Sequence, residues 1–154
     1  MSKLYIPEIL LADDDNDDCM FFKDALEELQ APTNLTTVSD GEQLMDYLEK
    51  VKYIPDVLFL DLNMPRKNGY ECLKEIKQNY RLKNMPVVVI STSFEPGIVE
   101  LLQEQGAQHY ICKPATYYEL VKVTHQAVTL IIQSQNTDQP TTADFVISPR
   151  ILVQ

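Results

Sequence analysis

Short apolar runs alternate along this chain with segments in which apolar residues recur at helical spacing. EILLA (8–12) predicts a strand, and from Asp17 to Gln30 the residues Phe22, Ala25, Leu26 and Leu29 share one helical face. LTTV (35–38) predicts a second strand. In SDGEQLMDYLEKV, Ser39 and Glu42 stand at capping-box spacing and predict a helix from about Asp40. DVLFLDL (56–62) and PVVVIS (86–91) are apolar on both faces, as strands in the middle of a covered parallel sheet are. Between them Gly69 to Tyr80 reads as a helix with Tyr70, Leu73 and Ile76 on one side. A helix over 95–105 ends at Gly106, HYIC (109–112) gives a fifth strand, and Thr116 and Glu119 cap a last helix running to Gln133.

Five strands alternating with five helices predict an α/β fold: a parallel sheet joined by right-handed crossovers, helices on both faces. Residues 6–133 carry this pattern. Residues 134–154 change to the polar, turn-rich SQNTDQPTTAD and then to FVISPRILVQ, and read as a tail outside the core. Two readings of the tail stand: a mobile end, or an apolar segment that packs as an added strand or a dimer arm.

In an open parallel sheet, ligands bind beyond the carboxyl ends of the strands. The first strand is followed by Asp13 and Asp14, and the third ends at Asp61. The fourth ends at Ser91, with Thr92 next, and the fifth leads into Lys113 and Pro114. Three carboxylates, a hydroxyl and an ammonium thus converge on one edge. Three carboxylates need a cation, and hard oxygen ligands in that number suit Mg²⁺. The lysine and the hydroxyl are what phosphoryl oxygens would bind. An aspartate held beside Mg²⁺ can attack phosphorus, so the residues themselves point to an aspartyl-phosphate site.

Composition narrows the partners. With 45% hydrophobic residues the 154-residue chain can bury a real core, and its net charge of −10 repels phosphate backbones, against nonspecific nucleic-acid binding. Cys19, Cys72 and Cys112 have no metal-ligand spacing and read as free thiols in a reducing compartment. No signal-peptide pattern and no apolar run of about 18 residues is present, so a cytoplasmic location is expected. His109 and His125 have no evident catalytic or metal partner and read as surface or packing residues. Arg66 and Lys67 read as solvated loop residues, or as contacts to a partner or a phosphoryl group.

The acidic stretch ADDDNDD (12–18) has competing explanations. Asp13, Asp15 and Asp17 match the first acids of a calcium loop, but Asp18 stands where glycine and Asp24 where glutamate are needed, and a strand precedes the stretch. The simpler division gives Asp13 and Asp14 to a metal and lets Asp15, Asn16, Asp17 and Asp18 start a helix.

LLADDD, DVLFLDLNMPRKNGYE, MPVVVIST and GAQHYICKP, in that order and spacing, resemble the receiver domain of two-component response regulators over residues 6–133. With no output domain following, the resemblance is to the single-domain, CheY-like subtype. It implies a flavodoxin-like sheet of order 2-1-3-4-5. It implies that Asp61 accepts the phosphoryl group, that Asp14 ligates Mg²⁺ directly and Asp13 largely through water, and that Asn63 adds its backbone carbonyl. By the same resemblance Ser91 and Lys113 bind the phosphoryl group, Lys113–Pro114 is cis, and Tyr110 is the aromatic switch that turns inward on activation. Tyr110 also reads simply as a core aromatic. Pro96 and Gly97, in the first turn of the fourth helix, depart from the pattern.

The expected function is phosphorelay signalling. A histidine kinase or histidine phosphotransfer protein donates to Asp61, and the face of the fourth helix, fifth strand and fifth helix then engages a downstream protein or a second copy. The chain is expected to catalyse only its own phosphorylation and slow dephosphorylation. A haloacid-dehalogenase-type phosphatase would need a second acid where Asn63 stands. A phosphorylation-independent interaction module on the same fold is the other alternative.

Overall fold

The computed structural model describes residues 6–29, 31–92, 95–135 and 145–148. Its elements run β1 (Glu8–Ala12), α1 (Asn16–Glu27), β2 (Asn34–Val38), α2 (Gly41–Lys50), β3 (Val57–Asp61), α3 (Gly69–Gln78), β4 (Val87–Ser91), α4 (Pro96–Glu104), β5 (His109–Cys112), α5 (Tyr117–Gln135) and β6 (Val146–Ile147). The strands form one parallel sheet in the order β2-β1-β3-β4-β5-β6. The flavodoxin-like core is therefore as expected, with one strand added at the β5 edge.

Alternation along the strands builds two cores. Leu10, Leu58, Leu60, Val87, Val89 and Tyr110 face α2, α3 and α4, where Leu44, Leu48, Leu73, Ile76 and Leu102 cover them. Ile9, Leu11, Phe59, Val88, Ile90 and Ile111 face α1 and α5, meeting Phe22, Leu26, Val123, Ala127 and Ile131. Strands β3 and β4 are buried at every position, which is why they read as unbroken apolar runs.

The helix starts are set by side-chain caps. Asp15 caps α1, accepting from the N–H groups of Asp17 (2.8 Å) and Asp18 (3.2 Å). Asn68 and Glu71 cap α3 reciprocally, at 2.9 and 3.3 Å. At α5 Thr116 Oγ1 accepts from Glu119 N–H at 3.1 Å, as the sequence predicts. At α2 the cap is shifted by one residue. Asp40, not Ser39, takes the Gln43 N–H at 2.8 Å, and Ser39 bonds the Gln43 side chain instead. β2 runs on to Val38, which leaves Ser39 in the connection and places Asp40 at the first turn.

Two expectations are corrected. No peptide bond among the described residues is cis, so Lys113–Pro114 is trans, the isomer that X–Pro bonds favour by about 0.5–1 kcal/mol. And the segment after 133 does not lie wholly outside the core: its described residues 145–148 follow the other reading, an added strand. α5 extends to Gln135, and β6 pairs parallel to β5 with Tyr110 opposite Val146 and Ile111 opposite Ile147. Ile147 is only 1% exposed and completes the α1/α5-side core, because β5 would otherwise leave that apolar row open at the sheet edge.

Candidate functional site

The ends of β1, β3, β4 and β5 bring the predicted residues to one edge. Asp13 follows β1 with its N–H on the Val38 carbonyl (3.0 Å) and its Oδ1 accepting from Asp15 N–H (2.9 Å). Asp61, the last residue of β3, accepts from the Asn63 N–H at 3.1 Å. Asp13 and Asp61 are buried and Asp14 is exposed, and each offers a carboxylate oxygen lying within 4.8 Å of the other two. That is a compact, hard-oxygen donor set open to solvent on the Asp14 side, which fits Mg²⁺ or a similar divalent cation.

Lys113 faces this group from β5. Its Nζ lies 2.7 Å from Asp18, 3.3 Å from Asp13 and 3.9 Å from Asp61. Its N–H bonds the Ser91 carbonyl at 2.8 Å, locking the two strand ends together. One ammonium against four neighbouring carboxylates leaves an excess of negative charge. Burial, and then the charges of Asp61 and Asp18, push Asp13 up to about 6, against the opposing pull of the Asp15 N–H and of Lys113. Burial also raises Asp61, opposed by the Asn63 N–H and Lys113 and reinforced by Asp14. Burial works against the charge on Lys113, but the Asp18 hydrogen bond and the charges of Asp13 and Asp61 outweigh it and hold the ammonium above its usual range. The site thus carries more carboxylate than cationic charge.

Ser91 is buried at the end of β4, in hydrogen-bonding contact with the hydroxyl of Tyr110, which is itself fully buried. Thr92 is exposed. Asn63 is exposed on the connection after β3. Gly69 closes that connection. A Cβ there would stand 2.6 Å from the Asp61 carbonyl oxygen, and the Gly69 N–H bonds the Leu62 carbonyl at 3.0 Å.

Three participants escaped the sequence reading. Asp18, expected only to favour the helix start, is the nearest partner of Lys113. Gly41, buried at the start of α2, lies so close to Lys67 that a Cβ would collide with its carbonyl. Arg66, at φ 68°, reaches from the connection after β3 to Asp40 (3.6 Å) and Glu42 (3.9 Å). Lys67 pairs with Glu75. Neither basic residue is simply solvated, and neither approaches Asp61 by any contact described here. His109 is a packing residue, buried with Nδ1 3.3 Å from the Phe145 carbonyl, and His125 is exposed on α5.

On the α1 side a cavity of about 310 Å³ adjoins Lys113, lined among others by Phe21, Phe22, Pro114 and Tyr117. The rings of Phe21 and Tyr117 meet edge-on at 6.5 Å and remain substantially exposed. No described helix is long and apolar enough to cross a membrane.

Comparison with known proteins agrees with this geometry. The family model described as response regulator receiver domain matches residues 9–125. Response regulator Rcp1 of Synechocystis is 33% identical over 120 residues, covering 75% of this chain and 82% of Rcp1. The probable methanogenesis regulatory protein FilR2 of Methanothrix harundinacea is 30% identical over 122 residues, 77% of this chain and 79% of its own. Among solved structures, the phosphorylated cyanobacterial phytochrome response regulator RcpA superposes with a TM-score of 0.79 at 30% identity, over 89% of this chain and all of RcpA. The Mn²⁺-bound form of Rcp1 does so with a TM-score of 0.72 at 30% identity, over 90% of this chain and 99% of Rcp1. The parallel sheet and the strand ends that gather the acids and the lysine lie within the matched residues, and this chain belongs to the response regulator receiver family.

Proposed function

We propose that this chain is a phosphoryl-accepting switch whose receiver unit spans residues 6–133, with Asp61 as the acceptor. The observation that carries the reading is the trio Asp13, Asp14 and Asp61, gathered within 4.8 Å and faced by Lys113. The phosphodonor is a phosphohistidine presented by a sensor kinase or a phosphotransfer protein. An Asp61 carboxylate oxygen attacks phosphorus in line, the P–N bond breaks, and the imidazole leaves with the electron pair. Asp13, Asp14, Asp61 and the Asn63 carbonyl would hold Mg²⁺, which neutralises charge on the phosphoryl oxygens when bound. Lys113 and Ser91 supply donors to those oxygens, Lys113 by leaving Asp18 for the new dianion. Water later cleaves the acyl phosphate, restoring the carboxylate and releasing inorganic phosphate. The exposed Phe21 and Tyr117 beside the site offer the donor protein an apolar foothold. The phosphorylated form then recruits a downstream protein, or a second copy, through the surface around α4 and β5.

Intact-protein mass after incubation with a small acyl-phosphate donor and Mg²⁺ tests this, followed by a phosphohistidine protein donor. A gain of one phosphoryl mass is expected in the wild type with metal, and none in Asp61→Asn or with EDTA. A folded wild-type chain that accepts no phosphoryl group from either donor would leave the phosphorylation-independent interaction module as the better reading.

A further inference from the structure

The C-terminal strand is unexplained by the reading above. It lies beyond the residues that the family model matches, yet it is tied to Tyr110 on β5. Tyr110 is held from two ends. Its side chain shares a sheet face with Ser91, diagonally across on β4 and within reach of the serine hydroxyl, and its main-chain N–H bonds the Phe145 carbonyl at 2.9 Å. The same carbonyl lies 3.3 Å from His109 Nδ1. Ile147 is buried under α5, while Phe145 and Val146 pack half-buried against the core cluster that contains Tyr110 and Leu102.

On this flank α4 gives little support. Its first residue, Pro96, follows Glu95, which makes no side-chain cap, and Leu102 is its one buried residue. The outer edge of β5 is therefore fixed mainly by the β6 main chain. β6 is two residues long, so its docking is the weakest part of the sheet and the part most able to respond to a change elsewhere.

We propose that Phe145–Ile147 are positioning residues for the phosphoryl site. Their docking on β5 holds Tyr110 within reach of the Ser91 hydroxyl, so a filled Asp61 site and a docked β6 stabilise each other. The coupling is reciprocal: a ligand at Asp61 tightens the strand, and loss of the strand loosens the ligand by the same factor. This rests on the Asp61 reading of the preceding section. β6 is then a gauge of phosphorylation, firmly docked when the site is full and more readily released when it is empty.

The probe is beryllofluoride with Mg²⁺, a non-hydrolysing mimic of an acyl phosphate, and the readout is amide hydrogen exchange on the full chain. The Tyr110 amide and the 145–148 segment should exchange more slowly by about fivefold or more once the site is filled, the lower end of ordinary coupling between sites. An Ile147→Asp chain, whose strand cannot dock in the apolar core, should bind beryllofluoride more weakly by a similar factor. Protection around Asp61 with no change at Tyr110 or 145–148 would overturn the coupling and leave the phosphoryl site standing. No protection around Asp61 at all would overturn the site reading, and the coupling with it. Equal beryllofluoride affinity in wild type and Ile147→Asp would show the strand to be structural padding only.

Discussion

Asp13→Asn should make the metal-free protein more stable at neutral pH. Asp13 is 3% exposed and its carboxyl is raised from 3.8 to about 6. Between those values the folded chain binds more protons than the unfolded chain, so stability falls as pH rises through that window. A shift of about 2 units corresponds to about 3 kcal/mol once the pH is well above 6, and about half of that at pH 5. The shift already contains the attraction of Lys113, and that lysine keeps Asp18 at 2.7 Å in the variant. An amide retains the oxygen that accepts the Asp15 N–H. Urea unfolding in EDTA at pH 7.5 should therefore show Asp13→Asn more stable by about 3 kcal/mol, shrinking toward pH 4. Mg²⁺ should reverse the order, because the wild type gains about 4.1 kcal/mol at a thousand times its dissociation constant and the variant little. A variant less stable than wild type in EDTA at pH 7.5, or a gap that does not close on acidification, would refute the reasoning.

Gly41→Ala should cost about 1–3 kcal/mol, since the new methyl meets a main-chain carbonyl that cannot turn aside; a shift in urea midpoint measures it, and a neutral result would mean the connection after β3 yields. Lys113→Gln should weaken phosphoryl transfer yet tighten divalent-cation binding, because it removes the one cation that faces Asp13 and Asp61 among the described residues; manganese titration followed by electron spin resonance would show it. Ile147→Ala should destabilise the chain by less than the roughly 2–5 kcal/mol of a central core truncation, because the edge strand can undock before the rest unfolds; a loss at the top of that range in urea unfolding would mean β6 unfolds with the core.

The sheet was legible because burial on both faces leaves an unmistakable run, as in VLFLD and VVVIS, and the site was legible because a parallel topology sends every strand end to one edge. Strand order was not legible in local pattern; the family resemblance supplied it. β6 was offered only as one of two readings of the tail, because a two-residue pairing is too short to show a period. Asp18 escaped because its partner lies 95 residues away, and its position in the first turn of α1 already explained an acid. Gly41 did leave a trace. Glycine in a helix costs about 1 kcal/mol relative to alanine, so its presence there marks a close neighbour. Ser39 and Asp40 are adjacent and equally capable caps, so local pattern does not choose between them.

A parallel sheet has two lateral edges, and this chain treats them differently. At one edge β2 presents Asn34, Thr36 and Thr37 to solvent, a polar fringe that offers other chains little to pair with. At the other, β5 is His-Tyr-Ile-Cys with its neighbours Val87–Ser91 behind it, a stretch rich in β-forming residues. β6 lies along that second edge as a sacrificial selvedge. A chain shortened after Gln135 would bare it, and the casualty is colloidal behaviour: at low salt the charge of −10 keeps copies apart, but salt that screens it should let β5 edges stack, so turbidity would rise with ionic strength in the shortened chain and not in the full one.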